Sequence, residues 1–165
     1  MNVILIGMPS CGKSTIGVLL AKTLGISFVD TDIIIQKKAG ATLQSIIDKQ
    51  GLGEFLRIEE EVLCELSEKD TVIATGGSAV YSRKAMEHLK KNGKVVYIRI
   101  PLCEIERRLV NIKSRGVALQ SGATISDLFK ERTPLYEKFA DYTIDTEGLT
   151  LEEAVEKIAK IFETR

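Results

Sequence analysis

Two hydrophobic rhythms alternate along this chain. Val3-Ile4-Leu5-Ile6 is a short continuous apolar run, the signature of a strand buried on both faces, and it opens onto a glycine-rich segment. Ile16, Leu19, Leu20 and Leu24 then share one face of a helix that stops at Gly25. Ile26 to Val29 predicts a second strand ending at Asp30. Helical spacing predicts helices over 42–49 and 54–67, the latter carrying Phe55, Ile58, Val62 and Leu66. Thr71 to Ala74 predicts a third strand, closed by Gly76-Gly77. A helix over 82–91, a fourth strand over 95–100 closed by Pro101, and a helix over 103–111 follow.

Lys113 to Ala123 is polar, basic and glycine-containing, and reads as a mobile loop. Thr124 can cap a helix bearing Ile125, Leu128, Phe129, Leu135, Tyr136 and Phe139, whose aromatics are expected in the core. Tyr142-Thr143-Ile144 predicts a last strand, and Thr150 with Glu153 forms a capping box for a final helix to Phe162.

Strands alternating with helices predict a three-layer α/β/α domain around a central five-stranded parallel sheet, spanning 1–165 as one unit. Ligands of such sheets bind beyond the carboxyl ends of the strands. Gly7, Asp30 and Gly76 all fall at that edge, so three suggestive segments are expected to meet there.

Composition narrows the field. Lys plus Arg total 23 and Asp plus Glu total 23, so there is no electrostatic footprint for a nucleic-acid partner. No apolar run approaches the ~20 residues that span a bilayer. Met1 to Gly7 lacks a basic n-region, so no signal peptide is expected. Cys11, Cys64 and Cys103 are odd in number and widely spaced, which argues against a disulfide framework or a zinc site and fits a reducing, cytoplasmic compartment. His88 has no partner at ligand spacing and reads as a surface residue.

The sharpest motif is Gly7-Met8-Pro9-Ser10-Cys11-Gly12-Lys13-Ser14, followed by Thr15, which matches the phosphate-loop pattern in full. Its glycines allow a tight turn that points N–H groups at phosphate oxygens, and the helix N-terminus adds a positive dipole end. Lys13 can reach the β- and γ-phosphates, and the Ser14 hydroxyl can serve Mg²⁺. A surface turn can match by chance, but here a strand precedes and a helix follows. No guanine signature occurs, which favours ATP.

Phe28-Val29-Asp30-Thr31-Asp32 places two carboxylates two residues apart just past a strand. On an extended stretch they project to the same side. One can serve the hydration shell of Mg²⁺ while the other meets an acceptor hydroxyl. The plainer alternative is that Asp30 caps a helix.

With the early phosphate loop, Asp30-Thr31-Asp32, Gly76-Gly77, Arg115 and Glu131-Arg132-Thr133-Pro134-Leu135-Tyr136, the chain resembles shikimate kinases over nearly its whole length. The resemblance implies a nucleoside-monophosphate-kinase-like fold, an acceptor-binding region near 31–60 and a closing lid over 112–123. It implies Asp30 near Mg²⁺, Asp32 as the base on the acceptor hydroxyl, and Gly76 and Gly77 lining the acceptor pocket. Arg108 would pack on adenine and Arg115 would reach the transferring phosphate. Arg132 would pair with the acceptor carboxylate, a task suited to guanidinium geometry. Such kinases work on small molecules, and a monomer is expected.

Three positions depart from the family pattern. Leu56 stands where an ungapped match puts a second carboxylate-binding arginine, and Arg57 follows it. Arg57 can take that place only if the helix starts differently, because one helical position is about 100° of rotation. Ser78 replaces the third glycine of the Gly76 run, and Gly116 replaces a lid proline. Three readings therefore stand: a shikimate kinase, a related kinase with another hydroxy acceptor, and a nucleotide-binding regulatory module.

Overall fold

The computed structural model describes residues 1–110, 117 and 122–163. Its sheet comprises β1 (Asn2–Ile6), β2 (Ser27–Asp30), β3 (Thr71–Ala74), β4 (Gly93–Arg99) and β5 (Tyr142–Asp145). The five strands are parallel, as the alternating pattern predicted, and lie in the order β2-β3-β1-β4-β5. Every residue of β1 is buried, which explains its unbroken apolar run.

The helices are α1 (Lys13–Leu24), α2 (Thr31–Ala39), α3 (Leu43–Gln50), α4 (Leu52–Glu65), α5 (Arg83–Lys91), α6 (Leu102–Val110), α7 (Ile125–Phe139) and α8 (Leu151–Glu163), with a 3₁₀ turn at Ala79–Tyr81. From β1 the chain moves to one side of the sheet, and from β3 it crosses back to the other. Right-handed crossovers therefore put α1 on one face and α5 on the opposite face. α1 packs against α8, while α5 and α7 lie against β4. Phe139 and Tyr136 enter the main core and Phe129 packs against it, as their spacing predicted.

A second, smaller core lies outside the sheet. Ile35, Ile46, Phe55 and Val62 bury against one another where α2, α3 and α4 meet. The region expected to receive the acceptor thus has its own apolar support.

Two expectations are corrected. Thr31 and Asp32 do not continue an extended stretch but form the first turn of α2. The signals for that helix are present: the Asp30 side chain accepts the Asp32 N–H at 3.0 Å, and Gly40 closes the helix at φ 63°. Three consecutive isoleucines masked its periodicity, for Ile35 is fully buried while Ile33 is 50% exposed. His88 is also more than a surface residue. Its Nε2 lies 2.7 Å from the Leu66 carbonyl, tying α5 to the end of α4.

The predicted capping box of α8 forms reciprocally: Thr150 N–H donates to Glu153 at 2.8 Å, and Glu153 N–H donates to Thr150 Oγ1 at 3.2 Å. Thr150→Ala should therefore lower stability by ~1 kcal/mol. A urea titration reads this as a lower midpoint at unchanged slope, with Val18→Ala on the exposed face of α1 as a near-neutral control.

Candidate active site

Three strand ends build the site. In the parallel register Asp30 pairs with Ala74, and Ala74 pairs with Leu5. Thr75 then donates both its N–H (3.2 Å) and its hydroxyl (2.9 Å) to the Leu5 carbonyl, locking the turn after β3 beside the phosphate loop. A cleft of about 400 Å³ opens above these ends, and Lys13, Ser14, Asp30, Asp32, Gly76, Gly77 and Arg132 all line it.

The loop itself has the backbone an anion site needs. Gly7 sits at φ 147° and Gly12 at φ 102°, values that favour glycine, and Ser10 shares the left-handed region at φ 63°. No side chain caps the start of α1, so its first N–H groups are left for a ligand. Lys13 is buried, and its ammonium donates to the Gly7 and Met8 carbonyls at 2.8 and 2.9 Å. Pro9, Ser10, Gly12 and Thr15 line the cleft. Cys11 does not: its side chain is buried beneath the loop, and its N–H is used by the Met8 carbonyl at 3.2 Å.

Ser14 Oγ donates to Asp30 Oδ2 at 2.6 Å, so two hard oxygen groups meet at the mouth of the loop. That donor set suits Mg²⁺, which takes few protein ligands and completes its shell with water and phosphate oxygens. Asp30 also caps α2 through its other oxygen, as the plainer alternative expected, and this leaves Oδ2 at the mouth of the loop. Asp32 lies across from Gly76, where an added Cβ would stand 3.1 Å from Asp32 Oδ1.

Arg132 is 1% exposed yet reaches the cleft from α7. Its Nε donates to the Tyr81 hydroxyl at 3.1 Å, and its guanidinium lies over the Tyr81 ring at 5.1 Å. The Tyr136 hydroxyl donates to the Gly77 carbonyl at 2.6 Å, which holds the glycine turn against α7. Burial pushes the Tyr136 phenol well up, so it stays a donor. Tyr81 and the Gly77 bond of Tyr136 had no sequence signal beyond apolar spacing.

Sequence reasoning also missed Glu59, on the inward face of α4. It is 2% exposed and accepts the Ser78 hydroxyl at 2.6 Å. Burial pushes its carboxyl up to about 7, with Asp32 adding to the shift, while the Ser78 bond and the charges of Arg132 and Lys13 work against it.

Arg57 is corrected. It is exposed on the outer face of α4, ion-paired with Glu54 and Glu61, and does not reach the cleft. Phe55 lines the cleft instead, and Leu56 packs on the second core. Arg108 donates to the Ser10 carbonyl at 3.1 Å and lines a neighbouring cavity of about 500 Å³ between the α6 start and the turn after β5. That turn, Thr146 to Thr150, was not expected to border a site. Arg115 and most of the lid expected over 112–123 lie outside the described residues.

A phosphate loop at the central strand of this sheet, with carboxylates and a buried arginine facing it, defines a P-loop phosphotransferase. A family model described as shikimate kinase matches residues 9–163, so the chain belongs to the shikimate kinase family and is a phosphotransferase with an alcohol group as acceptor. The shikimate kinase of Thermodesulfovibrio yellowstonii is 42% identical over 165 residues, covering 98% of this chain and 95% of that protein. Among solved structures, the shikimate kinase of Acinetobacter baumannii in complex with shikimate superposes with a TM-score of 0.87 at 36% identity, covering 99% of this chain and 93% of that one. The Aquifex aeolicus enzyme superposes at 0.83 with 37% identity, covering 99% and 96%.

The geometry separates the two arginines of the acceptor region. Arg57→Ala should leave the KM for the acceptor within about twofold, because the side chain faces solvent. Arg132→Ala should raise it by about ten- to a hundredfold, the loss of a charge-assisted bond of ~1.5–3 kcal/mol. Steady-state kinetics with the acceptor varied at saturating ATP measure both.

Proposed function

We propose that this chain transfers the γ-phosphate of ATP to a hydroxyl of shikimate, giving ADP and shikimate 3-phosphate. The observation that carries the reading is the buried Arg132, an anion receptor opening into the same cleft as Lys13 and Asp32. An acceptor whose carboxylate docks on Arg132 presents its hydroxyl toward Asp32 and the phosphate loop.

Phosphoryl transfer needs alignment and charge neutralisation more than covalent help. The α1 N–H groups and Lys13 hold the phosphates, the lysine exchanging its loop carbonyls for phosphate oxygens. Ser14 and Asp30 would hold Mg²⁺, which would supply charge neutralisation for the phosphates. Asp32 orients the acceptor hydroxyl and takes its proton. Arg108, at the wall of the second cavity, packs on adenine. Arg115, on the lid over 112–123, reaches the transferring phosphate and helps exclude water. α2 to α4, supported by their own core, form the acceptor-binding region of a single domain. No helix among the described residues is long and apolar enough to cross a membrane. The protein acts on small molecules in the cytoplasm as a monomer, without a nucleic-acid partner.

One observation favours a second acceptor. With Arg57 outside, the described residues bring one arginine to the cleft, so a differently decorated hydroxy acid can fit as well as shikimate. A panel of related hydroxy acids decides: shikimate should show the highest kcat/KM.

Incubation with ATP, Mg²⁺ and millimolar shikimate should yield shikimate 3-phosphate by mass spectrometry; absence of product overturns the reading. Asp32→Asn should lower kcat by about 10²- to 10⁴-fold with little change in KM for ATP, as loss of a positioned base does. Turnover with any acceptor that is lost in this variant excludes a purely regulatory module.

A further inference from the structure

Glu59 is not used by the mechanism above, yet it stands directly behind the acceptor cleft. A Cβ added at Gly76 would collide with Glu59 Oε1, and one added at Gly77 would stand 2.9 Å from Arg132 Nη1. The carboxyl and the guanidinium thus approach two consecutive glycines that line the cleft. Ser78 satisfies Glu59 Oε2 at 2.6 Å, while Oε1 has no hydrogen-bond partner among the described residues. A charged carboxylate buried with one oxygen bare is unfavourable, and a proton on that oxygen removes the charge.

We propose that Glu59 is a positioning residue that sets how strongly Arg132 holds an anionic acceptor, leaving the guanidinium to the ligand while protonated and competing for it once ionised. The inference rests on the reading that Arg132 receives the acceptor carboxylate. Leu56 makes room for it: the position next to Phe55 supplies a hydrophobic side chain to the second core, not a cation to Glu59.

The surroundings fix where the change falls. Asp32 from α2 opposes ionisation, and Arg132 from α7 and Lys13 from α1 favour it. From the 3₁₀ turn, Tyr81 accepts from Arg132, and the start of α5 is directed at the next residue, Ser82 donating to Glu60 at 2.5 Å. α3 meets α4 through the apolar cluster of Ile46, Phe55 and Val62. With burial dominant, the carboxyl titrates near pH 7. An acceptor carboxylate is ionised throughout that range, so the change in affinity belongs to the protein.

The test is the KM for shikimate at saturating Mg-ATP from pH 5.5 to 8.5. KM should rise by about tenfold as pH passes 7, the like-charge effect of an anion several ångströms away in a partly buried site, while kcat changes little. Glu59→Gln should hold KM at its low-pH value throughout. Ser78→Ala removes the donor that stabilises the anion, so the inflection should move to higher pH. A flat KM in the parent, or an inflection that survives in Glu59→Gln, overturns the proposal. A purely structural Glu59 would change kcat and KM together at every pH.

A readout without turnover separates this failure from that of the proposed function. A folded-state pKa raised above the ordinary 4.5 gives stability that is full below 4.5 and is lost as pH rises toward 7. The urea midpoint of Glu59→Gln should therefore gain on the parent between pH 5 and 7.5. A constant gap shows that Glu59 does not hold the proton, whatever the acceptor proves to be.

Discussion

The site depends on the parallel pairing of β1, β3 and β2. Adjacent strands lie about 4.8 Å apart, so residues leaving three neighbouring carboxyl ends fall within a single ligand's reach. The pairing of Leu5 with Ala74 and of Ala74 with Asp30 sets that alignment, and Thr75 reinforces it by giving two hydrogen bonds to Leu5. A slip of one residue in any ladder would turn alternate side chains to the other face. The burial of all of β1 makes such a slip unfavourable, and so the hydrophobic core indirectly holds Lys13, Asp32 and Gly76 in place.

Within that frame the two halves of the cleft are made differently. The donor half relies on backbone: positive-φ glycines, uncapped N–H groups at the start of α1, and a lysine held on two carbonyls. The acceptor half relies on side chains delivered from separate helices, Asp32 from α2, Glu59 from α4 and Arg132 from α7. Each buried charge there has its own arrangement. Arg132 lies over Tyr81, whose hydroxyl also accepts from it. Glu59 keeps one Ser78 bond, and burial pushes its carboxyl up to about 7.

This division explains what could be read from the chain. The phosphate loop is local, so eight consecutive residues specified its turn and its chemistry. The parallel direction of the strands followed from alternation, since each apolar run met a helix before the next run; their order did not. α2 escaped because Ile33, Ile34 and Ile35 blur the period, although Asp30 and Gly40 marked its ends. The rotation argument for Arg57 was sound: one position past Leu56, it points to solvent beside Glu54 and Glu61. The contact of Glu59 with Ser78 was not legible. It spans 19 residues and exists only because α4 packs beside the turn after β3, a tertiary fact no spacing encodes.

The same division shows why changes at Leu56 and Ser78 are compatible with an intact phosphoryl-transfer centre. A grip on the acceptor carboxylate is remote from the reacting oxygen and contributes to ground state and transition state alike. Removing one of two such grips weakens binding by about ten- to a hundredfold, from ~1.5–3 kcal/mol, and leaves the barrier of the bound complex nearly untouched. Groups that neutralise charge on the transferring phosphoryl act chiefly in the transition state, so Lys13 and its loop tolerate far less change. Substitutions can thus collect along α4 and the glycine turn while the strand ends stay fixed. Ser78 illustrates the coupling this permits: in place of a glycine it adds a hydroxyl, and that hydroxyl meets the Glu59 carboxylate behind the cleft.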